Sequence, residues 1–212
     1  MTTGLTIAAI VLILVGTWFL GFWNNVITFV NTVLAAIFAS NYFEPLADAI
    51  DGGQSSYTYL LDFVSLWLLF FATFAILRTA TDMLSKHRVH FDKWLEITGR
   101  TVFTLATAWV FVCFMQFSFH TAPFPPGEGN FQARPNSVNF VGAPDRLWLG
   151  FLQSRSTGAL ASSLPADYDT SQLHPSDRDS GAMVFDSKGD FIYKYHHRRL
   201  KLSQQEALRV QR

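Results

Sequence analysis

The chain of 212 residues has a single cysteine, Cys113, set inside an apolar run, which excludes a disulfide framework and a thiolate metal site of CxxC spacing. Charge is scarce where the chain begins. The first 77 residues carry only Glu44, Asp48, Asp51 and Asp62, all acidic, where a soluble domain averages about 25% charged residues. Over the whole chain 16 basic residues balance 16 acidic ones, and no long Lys/Arg run is present. Without a surface to neutralise phosphates, a nucleic-acid partner is not expected. Also missing are HExxH, GxSxG, a P-loop and a Gly-rich dinucleotide fingerprint. The apolar runs contain no serine paired with a base, no paired aspartates and no metal cluster. The reading is therefore of no enzyme, no metal and no cofactor.

What is abundant is apolar surface: 72 of the first 120 residues are apolar or aromatic, against 33 of the last 92, and 21 residues are phenylalanine. A wholly soluble globule is ruled out, and the first 120 residues read as an integral membrane domain. A helix needs roughly 20 residues to cross about 30 Å of hydrocarbon. Two runs, about Leu5 to Phe22 and Val26 to Phe43, are separated by Trp23, Asn24 and Asn25, and Gly21 to Asn25 supplies the break. A third run extends from about Tyr59 to Leu77 and is closed by Arg78. A fourth extends from Thr101 to Phe119 and is ended by His120, Pro123, Pro125 and Pro126. Four spans are expected. A cleaved signal peptide is disfavoured for the first run, because MTTG has no basic residue and Trp18, Phe19 and Leu20 stand where small residues would be needed.

The five basic residues of the first 120, Arg78, Lys86, Arg88, Lys93 and Arg100, all fall between the third and fourth runs. Short loops rich in Lys and Arg stay in the cytoplasm, so that loop is placed inside and both termini outside. Within it, Leu84, Phe91, Trp94 and Leu95 recur near helical spacing among Lys86, Arg88 and Lys93, which predicts an amphipathic helix at the headgroup level. A solvated loop helix is the alternative. Residues 121–144 read as a Pro/Gly-rich linker and 145–212 as a small, partly irregular α/β extracytoplasmic tail docked on the membrane. In that tail a short helix from Asp145, as its cap, to about Ser156 is expected. Met183 to Asp186 and Phe191 to Tyr195 flank a Ser-Lys-Gly turn and read as a hairpin, with a last helix over about Ser203 to Val210.

Several residues carry candidate chemistry. Asp62, Gln116 and His120 all fall near the outer ends of the third and fourth spans, where a carboxylate beside an imidazole would make a proton relay or an ion entrance. They are equally able to reach water or headgroups without any such role. Asn31 and Thr104 lie deeper and read as interhelical packing polar groups. Ala35, Ala36, Ala39 and Ser40 in the second run, and Thr17 with Gly21 in the first, form small-xxx-small pairs that let helix backbones approach. Lys86, Arg88, Phe91, Lys93 and Trp94 are the expected membrane-surface residues. His196 and His197 with Arg198, Arg199 and Lys201 specify neither a metal site, for want of a third ligand at a recognisable spacing, nor a basic lipid-binding patch, and Asp186-Ser-Lys-Gly-Asp190 reads as a turn rather than a calcium loop.

The order of features resembles the colicin V production protein family of bacterial inner-membrane proteins over about residues 5–120. The likeness rests on the turn Gly21-Phe-Trp-Asn-Asn, an Ala-rich second helix ending Ala-Ser-Asn-Tyr-Phe-Glu-Pro-Leu, a basic amphipathic linker, and Phe-Asp-Lys-Trp-Leu-Glu-Ile-Thr-Gly-Arg at 91–100. Two asparagines stand in the first turn where the family often has basic residues. The tail, with Pro-Asp-Arg-Leu-Trp-Leu-Gly-Phe at 144–151, is similar to the extension of planctomycete-type members. The resemblance implies a link to toxin secretion and envelope maintenance, with no catalytic residues to carry over. An accessory or scaffold role, with the lipid bilayer and an extracytoplasmic protein as partners, is the expected function. A small channel or transporter working as a homo-oligomer is the alternative, and an enzyme site in the tail is a third and remote one.

Overall fold

The computed structural model describes residues 2–51, 58–85, 91–124, 141–156, 185–186 and 189–204. Among them the regular structure is entirely helical: α1 (Thr2–Trp18), α2 (Phe22–Asp51), α3 (Thr58–Leu84), α4 (Lys93–Thr121), α5 (Pro144–Ser156) and α6 (Phe191–Gln204). Three helices, within α2, α3 and α4, are long and apolar enough to cross a membrane. Helix α1 is apolar but shorter at 17 residues, about 25 Å at 1.5 Å per residue.

The break between α1 and α2 falls at Phe19–Gly21, ahead of the Trp23–Asn25 separator read from the sequence. A side chain from far along the chain fixes it: Glu96 Oε1 accepts the Phe22 backbone N–H at 2.8 Å. A carboxylate there satisfies an orphan donor and complements the positive end of the α2 dipole. Gly99 makes room for this junction, since a Cβ at 99 would lie 2.5 Å from the Phe22 ring.

Three helices overrun the limits expected of them, each for a local reason. Helix α2 passes Pro45 and continues to Asp51, held by buried Phe43 and Ala47. Helix α3 continues beyond Arg78, whose Nε pairs with Asp82 at 3.0 Å and whose Nη1 donates to Thr28 Oγ1 at 3.1 Å. With its charge answered one turn away and across to α2, Arg78 does not end the helix. Helix α4 starts at Lys93 rather than Thr101. Consequently the amphipathic helix expected between the third and fourth spans is not a separate element among the described residues. Its first part prolongs α3 and its second part opens α4.

The tail corrects the sequence reading further. Phe191–Tyr195, expected as a strand of a hairpin, is the first turn and a half of α6. The physical reason is a cap. Asp186 Oδ1 accepts the backbone N–H groups of Asp190 at 2.9 Å and Phe191 at 3.1 Å, and Gly189 takes φ +64°. Turn residues that would have served a hairpin instead start a helix. The helix expected over Ser203–Val210 is represented by the end of α6, and residues 205–212 lie outside the described residues, as do Met183 and Val184. Helix α5 runs as expected, but Asp145 is not its cap: it lies inside the first turn, 1% exposed, after Gly142 and Ala143 at φ 76° and 48°.

Small residues set the packing. Ala35, Ala36 and Ala39 are 0% exposed where α2 meets α3 and α4. One continuous core then joins Phe43, Leu66, Phe70, Phe114 and Phe117 of the bundle to Trp148 and Leu152 of α5 and Phe191 and Tyr195 of α6. Burial in this shared core, not an independent one, holds the two tail helices. The bundle has a tail-side end, where α2 and α4 finish, and a loop-side end, which bears the α3–α4 connection.

Candidate functional site: a charged clasp at the tail-side end

At the tail-side end each long helix contributes a polar group to one cluster. Glu44 stands on α2, Asp62 in the first turns of α3, and His120 in the last turn of α4. Helix α6 answers them from one face, because Lys194, Tyr195, Arg198 and Arg199 are spaced i, i+1, i+4 and i+5. Lys194 Nζ pairs with Glu44 Oε1 at 2.7 Å, and the Tyr195 hydroxyl donates to the same oxygen at 2.9 Å. Arg198 pairs with Asp62. Arg199 Nη1 donates to the His120 carbonyl oxygen at 2.6 Å, satisfying one of the orphan acceptors at the end of α4. A cation there also complements the negative end of the α4 dipole.

Beneath the ion pairs the contact is aromatic. The Phe191 ring stacks on Phe117 with centroids 4.9 Å apart, and the Arg198 guanidinium lies 5.3 Å from the centre of the Tyr195 ring. Burial and the neighbouring Glu44 carboxylate raise the Tyr195 phenol above its ordinary value, so it remains a neutral donor. Burial lowers Arg199, which is only 7% exposed, from the usual guanidinium range.

The fourth element is a buried pair. His120 Nε2 and Asp145 Oδ2 are 2.9 Å apart, with side chains 0% and 1% exposed. With the carboxylate as acceptor, the imidazole Nε2–H is the donor. This pair ties α5 to the end of α4, and Trp148 Nε1 ties α5 to α2 by donating to Ser40 Oγ at 3.0 Å.

The residues singled out from the sequence fall in several places. Asp62 and His120 face one narrow crevice, together with Tyr195, Arg198 and Arg199. Gln116 does not join them; its Nε2 donates to Thr6 Oγ1 of α1 at 2.6 Å. Ala35, Ala36, Ala39 and Ser40 are all buried. Thr17 donates to the Ile13 carbonyl of its own helix, and Gly21 lies against Glu96. Asn31 donates to Thr81 across α2 and α3, and Thr104 receives Asn25 across α2 and α4. Of the expected membrane-surface residues, Trp94 is 84% exposed and Lys93 exposed, Phe91 packs edge-on against Phe22 at 4.9 Å, and Lys86 and Arg88 lie outside the described residues.

Sequence reasoning missed Glu44, Asp145, Lys194, Tyr195, Arg198 and Arg199 as one constellation. The i, i+1, i+4, i+5 pattern in 194–199 would have exposed it, had that stretch been read at helical rather than strand period. Chemically the site is a clasp: complementary charges and aromatic stacking hold a basic helix across three helix ends. No group of three or more His, Cys, Asp or Glu able to hold a metal occurs among the described residues.

Compared with known proteins, the chain matches the family described as Colicin V production protein over residues 3–142. No curated protein and no solved structure matches it.

Proposed function

Because the chain belongs to the colicin V production protein family, and is a multi-pass membrane protein with three long apolar helices, we propose that it is a four-span accessory or scaffold of the bacterial inner membrane. In this reading it serves toxin secretion and envelope maintenance by binding rather than by catalysis, and its tail meets an extracytoplasmic protein. The fourth span is α1. It runs antiparallel to α4, from Thr6 beside Gln116 near the tail-side end to Trp18 beneath the Arg100 guanidinium, 5.0 Å from its ring centre, near the loop-side end. Its Leu5, Ile7, Val11, Leu12 and Val15 are exposed apolar side chains suited to lipid. The basic connection between α3 and α4 favours the cytoplasmic side for the loop-side end and the outside for the clasp.

The observation that carries the scaffold reading is the clasp itself. It commits Glu44 and Asp62 to holding α6, and leaves Tyr193, His197 and Lys201 of that helix facing outward. A channel built as a homo-oligomer would call for Asp62, Gln116 and His120 to share an opening, whereas Gln116 lies apart beside Thr6, and Asp62 and His120, which share a narrow crevice, are bonded to Arg198 and Asp145.

Two measurements test the proposal. Single cysteines replacing Ser55, Ser85 and Ser171, in a Cys113→Ser background, should label from outside, inside and outside respectively; any other pattern refutes the topology. The full chain, cross-linked in membranes, should capture an extracytoplasmic protein that is lost when residues after Pro123 are deleted and when Asp62→Arg unseats α6, and regained in Asp62→Arg/Arg198→Asp. Ion flux through reconstituted vesicles, abolished by His120→Ala, would instead support the channel.

A further inference from the structure

Helix α5 does not sit on top of the bundle. A Cβ at Gly142, two residues before α5, would lie 3.9 Å from the Trp109 ring. Trp109 precedes His120 by eleven residues of continuous helix, about 16 Å at 1.5 Å per residue. Along α5, Asp145 meets His120, Trp148 meets Ser40, and Ser156 Oγ accepts the Phe185 N–H at 2.9 Å beside the start of α6, while Leu147 and Phe151 line one groove with Val30, Leu34 and Trp109.

Between α5, α2 and α4 lies an apolar groove of about 420 Å³, lined among others by Val30, Val33, Leu34, Trp109, Leu147 and Phe151. On α2 and α4 these residues fall in the middle of two helices long enough to span. Val30, Leu34, Trp109 and Leu147 are 41–53% exposed, so the groove is continuous with the surface that those helices turn to lipid. Water at that depth would find no polar lining to bond.

From this placement we propose that α5 is a re-entrant helix embedded in the tail-side leaflet, and that the groove it forms with α2 and α4 is a binding site for one phospholipid acyl chain. The family match stops at residue 142, so the helix that completes the groove lies beyond the matched region. The buried His120–Asp145 pair fits this position, since an ionisable group at membrane depth is tolerated when it is paired inside the protein. The proposal rests on the multi-pass assignment but not on the scaffold role or on which face is outside.

The test uses the full chain in vesicles of phosphatidylethanolamine and phosphatidylglycerol, in a Cys113→Ser background. Cysteines at Val141, Leu147 and Tyr193, all exposed in the structure, are treated with a membrane-impermeant maleimide on both faces. Tyr193→Cys should label at least tenfold faster than Val141→Cys and Leu147→Cys; comparable rates would place α5 in water and overturn the re-entrant assignment. A benzophenone on Leu34→Cys then reports the occupant. A photoproduct heavier by one phospholipid supports the site, and a link to another segment of this chain overturns it. Val33→Trp should abolish that lipid adduct while Leu68→Trp, on the exposed face of α3, leaves it. Equal adducts in both variants would reduce the groove to ordinary bilayer contact.

Discussion

Replacing Asp145 by alanine should destabilise this protein more than breaking the exposed Lys194–Glu44 ion pair at the clasp. Both members of the His120–Asp145 pair are out of water, at 0% and 1% exposure, so solvent cannot screen or replace what is lost. Asp145→Ala leaves the His120 Nε2–H buried without this acceptor, a loss of about 1–3 kcal/mol. The Lys194–Glu44 pair makes the comparison internal. Its side chains are 42% and 41% exposed, and exposed pairs are worth about 0.2–1 kcal/mol. SDS-unfolding titrations in mixed micelles would compare Asp145→Ala, His120→Ala, the double variant and Glu44→Gln. Asp145→Ala should show the larger loss, the double variant should fall well short of the summed single losses, and Glu44→Gln should lose little. Asp145→Asn keeps an acceptor and should recover part of the deficit. Strict additivity, or a loss for Asp145→Ala no larger than that for Glu44→Gln, would refute the view that burial makes this pair dominant.

Other substitutions probe the packing. Gly99→Ala should cost about 1–3 kcal/mol by overpacking, because its Cβ would press within 2.5 Å of the Phe22 ring, and Phe22→Leu in the same chain should relieve it in the same titration. Trp148→Phe should cost only about 0.5–1.5 kcal/mol for one hydrogen bond, since Ser40 Oγ keeps its own bond to the Ala36 carbonyl, whereas Trp148→Ala should cost about 3–5 kcal/mol. Asp186 gives a pH signature. Burial pushes its carboxyl up to about 6 from 3.8, so the folded chain holds more protons than the unfolded one between those values. Its contribution therefore favours folding at low pH and declines as pH rises from about 4 to about 6. The stability difference between the wild type and Asp186→Asn should follow that course and be flat above pH 7; an opposite slope would refute it.

Much of the helical frame is legible in the order of residues because lipid imposes a strong local rule. A long apolar run must satisfy its backbone internally, and helix is the way to do so within one segment. The runs beginning at Val26, Tyr59 and Thr101, and the helix from about Asp145 to Ser156, therefore reappear in α2, α3, α4 and α5. Their ends are less legible. Glu96 caps α2 from 74 residues away, and Arg78 continues α3 because Asp82 and Thr28 answer its charge. The Glu96 cap and the Thr28 contact have no local signal; only the i, i+4 pairing of Arg78 with Asp82 does. Phe191–Tyr195 reads as a strand because a five-residue stretch with a single charge carries no decisive period, and the Asp186 cap tips it to helix.

The sequence alone determined where apolar surface demands burial in lipid or protein, and that the cationic connection lies between two of the apolar runs. Tertiary structure decided what the charged residues are for. Glu44, Asp62 and His120 are separated along the chain by up to 76 positions, and Arg198 and Asp145 come from a tail that looked like an appendage. An ion pair buried at a helix end depends on distance and solvent exclusion, and both exist only once α5 and α6 have folded back onto the bundle.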